Sequence, residues 1–248
     1  MSALRIGCSG WVYKDWTGPF YPPGTKDKDR LEYYATRFDT AEINASFYRL
    51  PSEKMVEGWA TRAPEGFLFA WKVSRFITHN KKLNDCGDSV ALVFGRMAPL
   101  ADHYGPALIQ LPPQLRRNDD RLAGFLKLLP KGRRHTVEFR HPSWYDAAVF
   151  RILADFDASL CISDHHSAPS PWEITASWVY VRGHGPGGRY FGRYSEDELA
   201  VWAQNIARWR AEGRDVYAYF DNDIKSAAPF DAEALKALTG AVPYAQAA

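Results

Sequence analysis

The sequence predicts an α/β fold, a single (β/α)8 barrel in which eight parallel strands form a ring inside their helices. Three observations carry this. The chain has 248 residues, the ordinary length of eight strand–helix units in succession. Short apolar runs of strand character alternate with segments of helical spacing, the pattern that builds a parallel sheet. No Gly-x-Gly-x-x-Gly follows the first run, so an open dinucleotide-binding sheet lacks its usual mark.

Taken in order, the first strand is Arg5 to Trp11, and helical spacing at Arg30 to Phe38 leads to a second strand, Thr40 to Tyr48. There Ala41, Ile43 and Ala45 alternate with Glu42, Asn44 and Ser46, as a strand with one apolar face requires. A helix over Ser52 to Arg62 precedes the third strand, Leu68 to Arg75, with Trp71 and Val73 facing helices and Lys72 and Ser74 facing inward. A helix over Asp88 to His103 is followed by strand Ala107 to Pro112, then helix Asp119 to Leu129 and strand His135 to His141. Pro142 starts a helix to Phe156, since proline suits a first helical turn. After strand Ser159 to Asp164 the pattern fails. Only a loop with a turn around Pro169 to Thr175 reaches the seventh strand, Trp178 to His184, so this unit is degenerate. Helix Ser195 to Glu212, strand Asp215 to Asn222 and helix Asp231 to Leu238 complete the series, and the alanine-rich tail after Val242 is expected to fray. No linker-like shift in composition divides the chain, so residues 1–248 read as one TIM-type domain.

The formal charge of +2 is too small to point to a nucleic-acid or membrane surface. Cys8, Cys86 and Cys161 show no Cys-x-x-Cys spacing, which argues against a disulfide framework or zinc knuckle and for a reducing compartment. The N-terminus runs directly into a strand, with no apolar stretch of membrane-spanning length. The expectation is a cytoplasmic protein with no membrane partner. Oligomeric state and cofactor are left open.

In such a barrel the active site lies at the carboxyl ends of the strands. Inward polar residues gather there: Glu42, Asn44 and Ser46, then Lys72 and Ser74, Gln110, Glu138 and Arg140, Asp164, Arg182 and His184, and Asp221 with Asn222. Removing so many charges from water costs several kcal/mol per ion before pairing offsets it, and an apolar layer would be as stable. A functional site explains the set better than a structural one. Loop aromatics Trp11, Tyr13, Trp16, Phe47, Tyr48, Trp144, Tyr145, Tyr190 and Tyr194 could stack on a flat ligand, though about half are expected to be packing residues. The stretch Arg182-Gly-His184-Gly-Pro-Gly-Gly-Arg189-Tyr190 suggests a mobile loop whose free amides and Arg189 hold an anion.

These residues resemble those of the DUF72, or YecE-like, family over nearly the whole chain. The carriers are Glu42-Ile-Asn44-Ala-Ser46-Phe47-Tyr48 with Pro51, Trp71-Lys72 leading to Ile77-Thr78-His79, and Gln110-Leu-Pro112-Pro113. Glu138-Phe-Arg140-His141 with Trp144, Arg182-Gly-His184-Gly, and Tyr219-Phe-Asp221-Asn222-Asp223 complete them. Ser46 and Asp221 depart from the family, standing where its members often carry Thr and Asn. The resemblance implies the TIM-type barrel and the site's location, and it transfers no reaction.

The residues favour a hydrolase, lyase or isomerase acting on a small anionic or carbohydrate-like molecule. Glu42 or Glu138 is the expected general acid or base, with Lys72 and His184 as further catalytic candidates. Asn44, Tyr48, Gln110, Arg140, Trp144, Arg182, Tyr190 and Asn222 are the expected ligand contacts. Two further readings remain: a metal-dependent enzyme using Glu138, Asp164 and His184, with His165 or His166 nearby, and a non-catalytic ligand-binding or sensor module. Lys72 as an imine-forming nucleophile ranks lower, because a lysine beside glutamates stays protonated unless desolvated. A nucleic-acid partner is disfavoured by the near-neutral charge.

Overall fold

Strands and helices alternate along the chain, which the computed structural model describes over residues 2–241. The strands are β1 (Leu4–Cys8), β2 (Thr40–Ile43), β3 (Leu68–Lys72), β4 (Tyr104–Gln110), β5 (His135–Glu138), β6 (Ser159–Ser163), β7 (Trp178–Gly183) and β8 (Asp215–Phe220). The helices are α1 (Arg30–Ala35), α2 (Ala45–Tyr48), α3 (Glu53–Arg62), α4 (Gly87–Met97), α5 (Asp119–Leu126), α6 (Ala147–Asp155), α7 (Glu196–Ala211) and α8 (Ala227–Leu238). All ladders are parallel, in the order β1-β8-β7-β6-β5-β4-β3-β2. A bridge between Ser9 and Glu42 joins the two ends of that ribbon, so the sheet is a nearly closed α/β barrel of the TIM type.

The seam between β1 and β2 is held by side chains as well as backbone. The Tyr34 hydroxyl of α1 donates to Thr40 O at 3.0 Å and accepts from Cys8 N at 2.7 Å. Gly7 is required here, since a Cβ at that position would lie 2.3 Å from Thr40 O.

Alternation along the strands sorts the two faces. On β7, Trp178, Tyr180 and Arg182 point into the barrel while Val179 and Val181 join the outer core under the helices. On β3, Ala70 lies inside while Phe69 and Trp71 pack outward. Trp178, Tyr180, Tyr217, Tyr219, Leu108 and Cys161 fill the lower interior as an apolar plug. Rings of this size each remove about 150–250 Å² from water, so the plug contributes heavily to the folded state, and it separates the charges above it from the Arg134–Asp215 pair against Trp178 and Tyr217.

Several elements differ from expectation, each for a local reason. β2 stops at Ile43, because Asn44 turns to helical backbone angles and Ser46 Oγ bonds Ile43 O and Lys72 O. Those two carbonyls would serve a continuing ladder. The helix expected to run from residue 88 to His103 ends at Met97. Pro99 and Ala101, at φ 51°, turn the rest into a tighter coil. The helix expected at Pro142 is a short turn to Trp144, and α6 restarts behind Asp146, whose carboxylate caps it by accepting from Ala148 N. α8 begins earlier than expected, at Ala227, tolerating Pro229 in its first turn. The β6–β7 connection carries no helix. The tail from Val242 on lies outside the described residues. Among those described, no helix is long and apolar enough to cross a membrane, and all the cysteines are free and buried.

Candidate functional site

Above the aromatic plug, the strand ends converge on Arg182, which has no solvent exposure. Its Nε and Nη2 reach Glu42 Oε2 and Oε1 at 3.1 and 2.8 Å, and Nη2 also faces Ser9 Oγ at 2.9 Å and Asp221 Oδ2 at 2.8 Å. Its Nη1 reaches Glu138 Oε2 at 2.9 Å and His184 Nε2 at 3.1 Å. A guanidinium has five N–H donors, and all of these are committed. Alternation delivers the carboxylates: Glu42 is the inward residue before β2 turns, and Glu138 closes β5.

Glu42 is saturated. Beside Arg182, it accepts from Ser9 Oγ and from the Tyr180 hydroxyl at 2.6 Å. Glu138 accepts from Arg140, from Gln110 Nε2 at 3.0 Å and from Arg182. Burial alone would raise its carboxyl, but the Arg140 and Arg182 guanidiniums hold it well below the usual carboxylate range. A carboxylate so held is a weak base and is not protonated at neutral pH, so it does not suit the general-acid role expected of it. Glu42, sealed under Tyr180 and Ser9, has no open edge for a substrate proton. Both glutamates act as counter-charges.

His184 is similarly committed. Two arginines face its Nε2, so Nε2 is the acceptor and Nδ1–H donates to Asp164 Oδ1 at 3.1 Å. Burial and the neighbouring guanidiniums hold the imidazole well below its ordinary pKa. The expected carboxylate–histidine metal set is therefore not assembled, because each His184 nitrogen already has a partner. Among the described residues no cluster of three His, Cys, Asp or Glu side chains is placed to hold a metal ion. Asp164 also accepts from the Tyr194 hydroxyl. Burial lifts its carboxyl to about 6 despite that bond and the His184 backbone N–H.

Lys72 is different. It is 7 % exposed, its Nζ lies 4.3 Å above the Phe47 ring, and that Nζ makes no hydrogen bond or ion pair among the described residues. Burial and the nearby Arg182 cation push it down to about 8 against the pull of Glu138, Asp221 and Glu42. Burial and the Lys72, Arg75 and Arg140 cations likewise hold His79 at about 4. Burial and Arg140 hold His165 at about 3. The mouth thus holds neutral imidazoles beside its cations. Arg140 presents Nη1 to the hydroxyl of Tyr190, a half-exposed residue at φ 69°.

A family model described as a protein of unknown function, DUF72, matches residues 5–247. The chain belongs to the DUF72 family. Among its relatives, the UPF0759 protein YecE of Escherichia coli K12 is 35% identical over 143 residues, covering 57% of this chain and 50% of YecE. The match thus spans about half the length of that relative. The UPF0759 protein YunF of Bacillus subtilis strain 168 is 25% identical over an alignment of 254 positions, covering 89% of each chain. The crystal structure of a DUF72 protein from Thermotoga maritima shares the fold with a TM-score of 0.87 at 24% identity, over 96% of this chain and 99% of that one.

Of the eight expected ligand contacts, Gln110, Arg140, Arg182 and Tyr190 join the cluster, and four others do not. Trp144 is fully buried, stacked on Phe139 with Nε1 donating to Leu115 O at 2.7 Å, and is a core residue. Asn222 turns away, its Nδ2 bonding Gly192 O and Asp231 Oδ2 at 2.7 and 2.8 Å, and so ties a loop to α8. Tyr48 is 70 % exposed, with its ring edge-on to Phe47. Asn44 borders a groove of about 500 Å³ between Trp11, Met55 and Trp59, with Nδ2 3.5 Å from Ser9 O.

The glycine loop is not a free anion cradle either. Gly188 N bonds Gly185 O, Tyr190 N bonds His184 O, and Gly185 N bonds the Tyr194 hydroxyl. Ser9, Tyr180 and Ser163 went unrecognised in the sequence, and Tyr194, expected as a stacking ring, instead donates to Asp164. Ser9 was legible, since it follows Gly7 at the inward period of β1.

Proposed function

We propose that this DUF72 chain is an enzyme whose barrel mouth receives a small anionic molecule, sugar acids and phosphates included, and that Lys72 is the residue it meets. The observation that carries this is the buried Lys72 ammonium, which makes no direct ion pair among the described residues, 4.3 Å above Phe47 and facing Glu138, Asp221 and Glu42, which are paired with arginines. A buried cation without a hydrogen-bonded partner is costly, and an anion in the mouth would supply one. The same group fits acid–base work, because a lysine near 8 both gives and takes a proton around neutral pH. It takes over the role that the sequence assigned to the glutamates.

The test is ligand-induced thermal stabilisation at matched ionic strength with phosphate, oxalate, gluconate and glucose 6-phosphate, in the unaltered protein, Lys72→Met and Lys72→Arg. At least one anion should stabilise the unaltered protein. Lys72→Met should weaken it about tenfold or more, since a hydrogen bond to a charged group contributes roughly 1.5–3 kcal/mol, while Lys72→Arg should retain part of the effect. Equal responses of the unaltered protein and Lys72→Met would sink the proposal.

A further inference from the structure

Lys72 ends β3 with its stem fixed in the barrel wall, and its Nζ faces Phe47 from α2 and the mouth above. The charged and titratable groups around it are Arg182 on β7, Glu138 and Arg140 at the end of β5, Asp221 after β8, Glu42 on β2 and His79 beyond β3. The nearby serine and cysteines are occupied or sealed. Ser9 Oγ is bound to Glu42 and Arg182, and Cys8 and Cys161 are buried in the core with their thiols pushed up by burial.

We propose that Lys72 is a nucleophile that forms an imine with an aldehyde or ketone carrying an anionic group, which makes the mouth a site for lyase or aldolase-type chemistry. This rests on the reading of the mouth as an anion site and names the substrate class. A lysine desolvated beside another cation is a recognised way of freeing an amine lone pair at neutral pH, and Arg182 supplies that cation here.

In the step, the Lys72 ammonium first gives one proton to solvent, the freed Nζ lone pair attacks the carbonyl carbon while the C=O π electrons move to oxygen, and one proton passes from nitrogen to oxygen to give a carbinolamine. The C–O bond then breaks as the nitrogen lone pair forms C=N, and the oxygen leaves as water after taking a proton from solvent. Net, an ammonium and a carbonyl become an iminium and water. Charge is conserved at +1, so the Glu138, Asp221 and Glu42 counter-charges that face the ammonium equally face the iminium. The substrate's anionic group falls to the Arg140 Nη1 edge, which meets the half-exposed Tyr190 hydroxyl at 3.0 Å. No redox partner is needed.

The experiment treats the whole protein with pyruvate, glyoxylate or glyceraldehyde 3-phosphate, with acetone as the neutral control, and reduces with sodium borohydride. Intact mass and peptide mapping then locate the label. Lys72 should carry one reduced adduct, formed at pH 7.5 at least about tenfold faster than at exposed Lys28 or Lys127. A surface amine near 10.4 is on the order of a hundredfold less deprotonated there than one near 8. Anionic probes should outpace acetone, and the Lys72 labelling rate should rise with pH and level off above about 8.

Lys72→Arg should lose that adduct, and the pH profile of the unaltered protein carries the test even where the variant folds poorly. Label spread evenly over surface lysines, or absent from Lys72 with all three anionic probes, overturns the imine. If anions still stabilise the unaltered protein but not Lys72→Met, the anion site survives that result. Failure of both experiments removes both.

Discussion

Arg182 holds Glu42, Glu138 and Asp221 together, so its removal leaves buried carboxylates facing one another. Arg182→Met is expected to cost about 3–5 kcal/mol at pH 7, the penalty for stranding a buried charge. The stranded carboxyls would have native pKa values above their unfolded ones, so protonation favours the folded state and the deficit should shrink as pH falls. Urea unfolding at pH 7 and pH 5 checks this, and equal deficits would contradict it. Asp164 carries the same sign in the unaltered protein. Its carboxyl lies at about 6 when folded against 3.8 as a free group, so its protonation adds stability as pH drops through that window. Asp164→Asn should flatten that part of the stability–pH curve. The charged residues of this site were legible because strand alternation and strand ends locate them. Their roles were not, because whether a carboxylate is free or saturated depends on partners from other strands: Glu42 is quenched by Arg182 and Tyr180, 140 and 138 positions away. Lys72 was expected to stay protonated beside glutamates unless desolvated, and its burial, invisible in the sequence, supplies that condition.

At the level of elements, long periodic segments were readable and their ends were not. α7 carries a capping box in which Ser195 Oγ accepts from Glu198 N while the Glu198 side chain accepts from Ser195 N. That signature stood in the sequence, and the helix was expected to begin there. Ser195→Ala should lower unfolding stability by about 1 kcal/mol and leave anion binding unchanged, as paired denaturation and binding titrations would show. The second strand was overextended because Asn44 and Ser46 continue its alternation, and only the third strand's Lys72 carbonyl, captured by Ser46 at 2.7 Å, reveals the turn. The glycine-rich loop was misread for a related reason. Gly188 sits where a Cβ would lie 2.3 Å from Asp164 O, so its glycine permits close packing on the neighbouring connection and does not signal mobility.

For the molecule as a whole, the closed parallel ring followed from length and alternation, but the contacts that clasp its seam did not. Gly7→Ala is expected to force β1 and β2 apart, at about 1–3 kcal/mol for overpacking against a backbone carbonyl, and to weaken anion binding because Glu42 belongs to that seam. Thermal unfolding together with the anion titration would detect both. The closure has a temporal consequence. β2 and β3, with Glu42 and Lys72, form one end of the hydrogen-bonded ribbon, and β8 and β1, leading to Asp221 and Ser9, form the other. A refolding chain whose ribbon is complete but unclasped holds these groups apart. Competence toward a ligand should therefore arise in the same kinetic phase that protects the Cys8 amide, which Tyr34 covers, from hydrogen exchange.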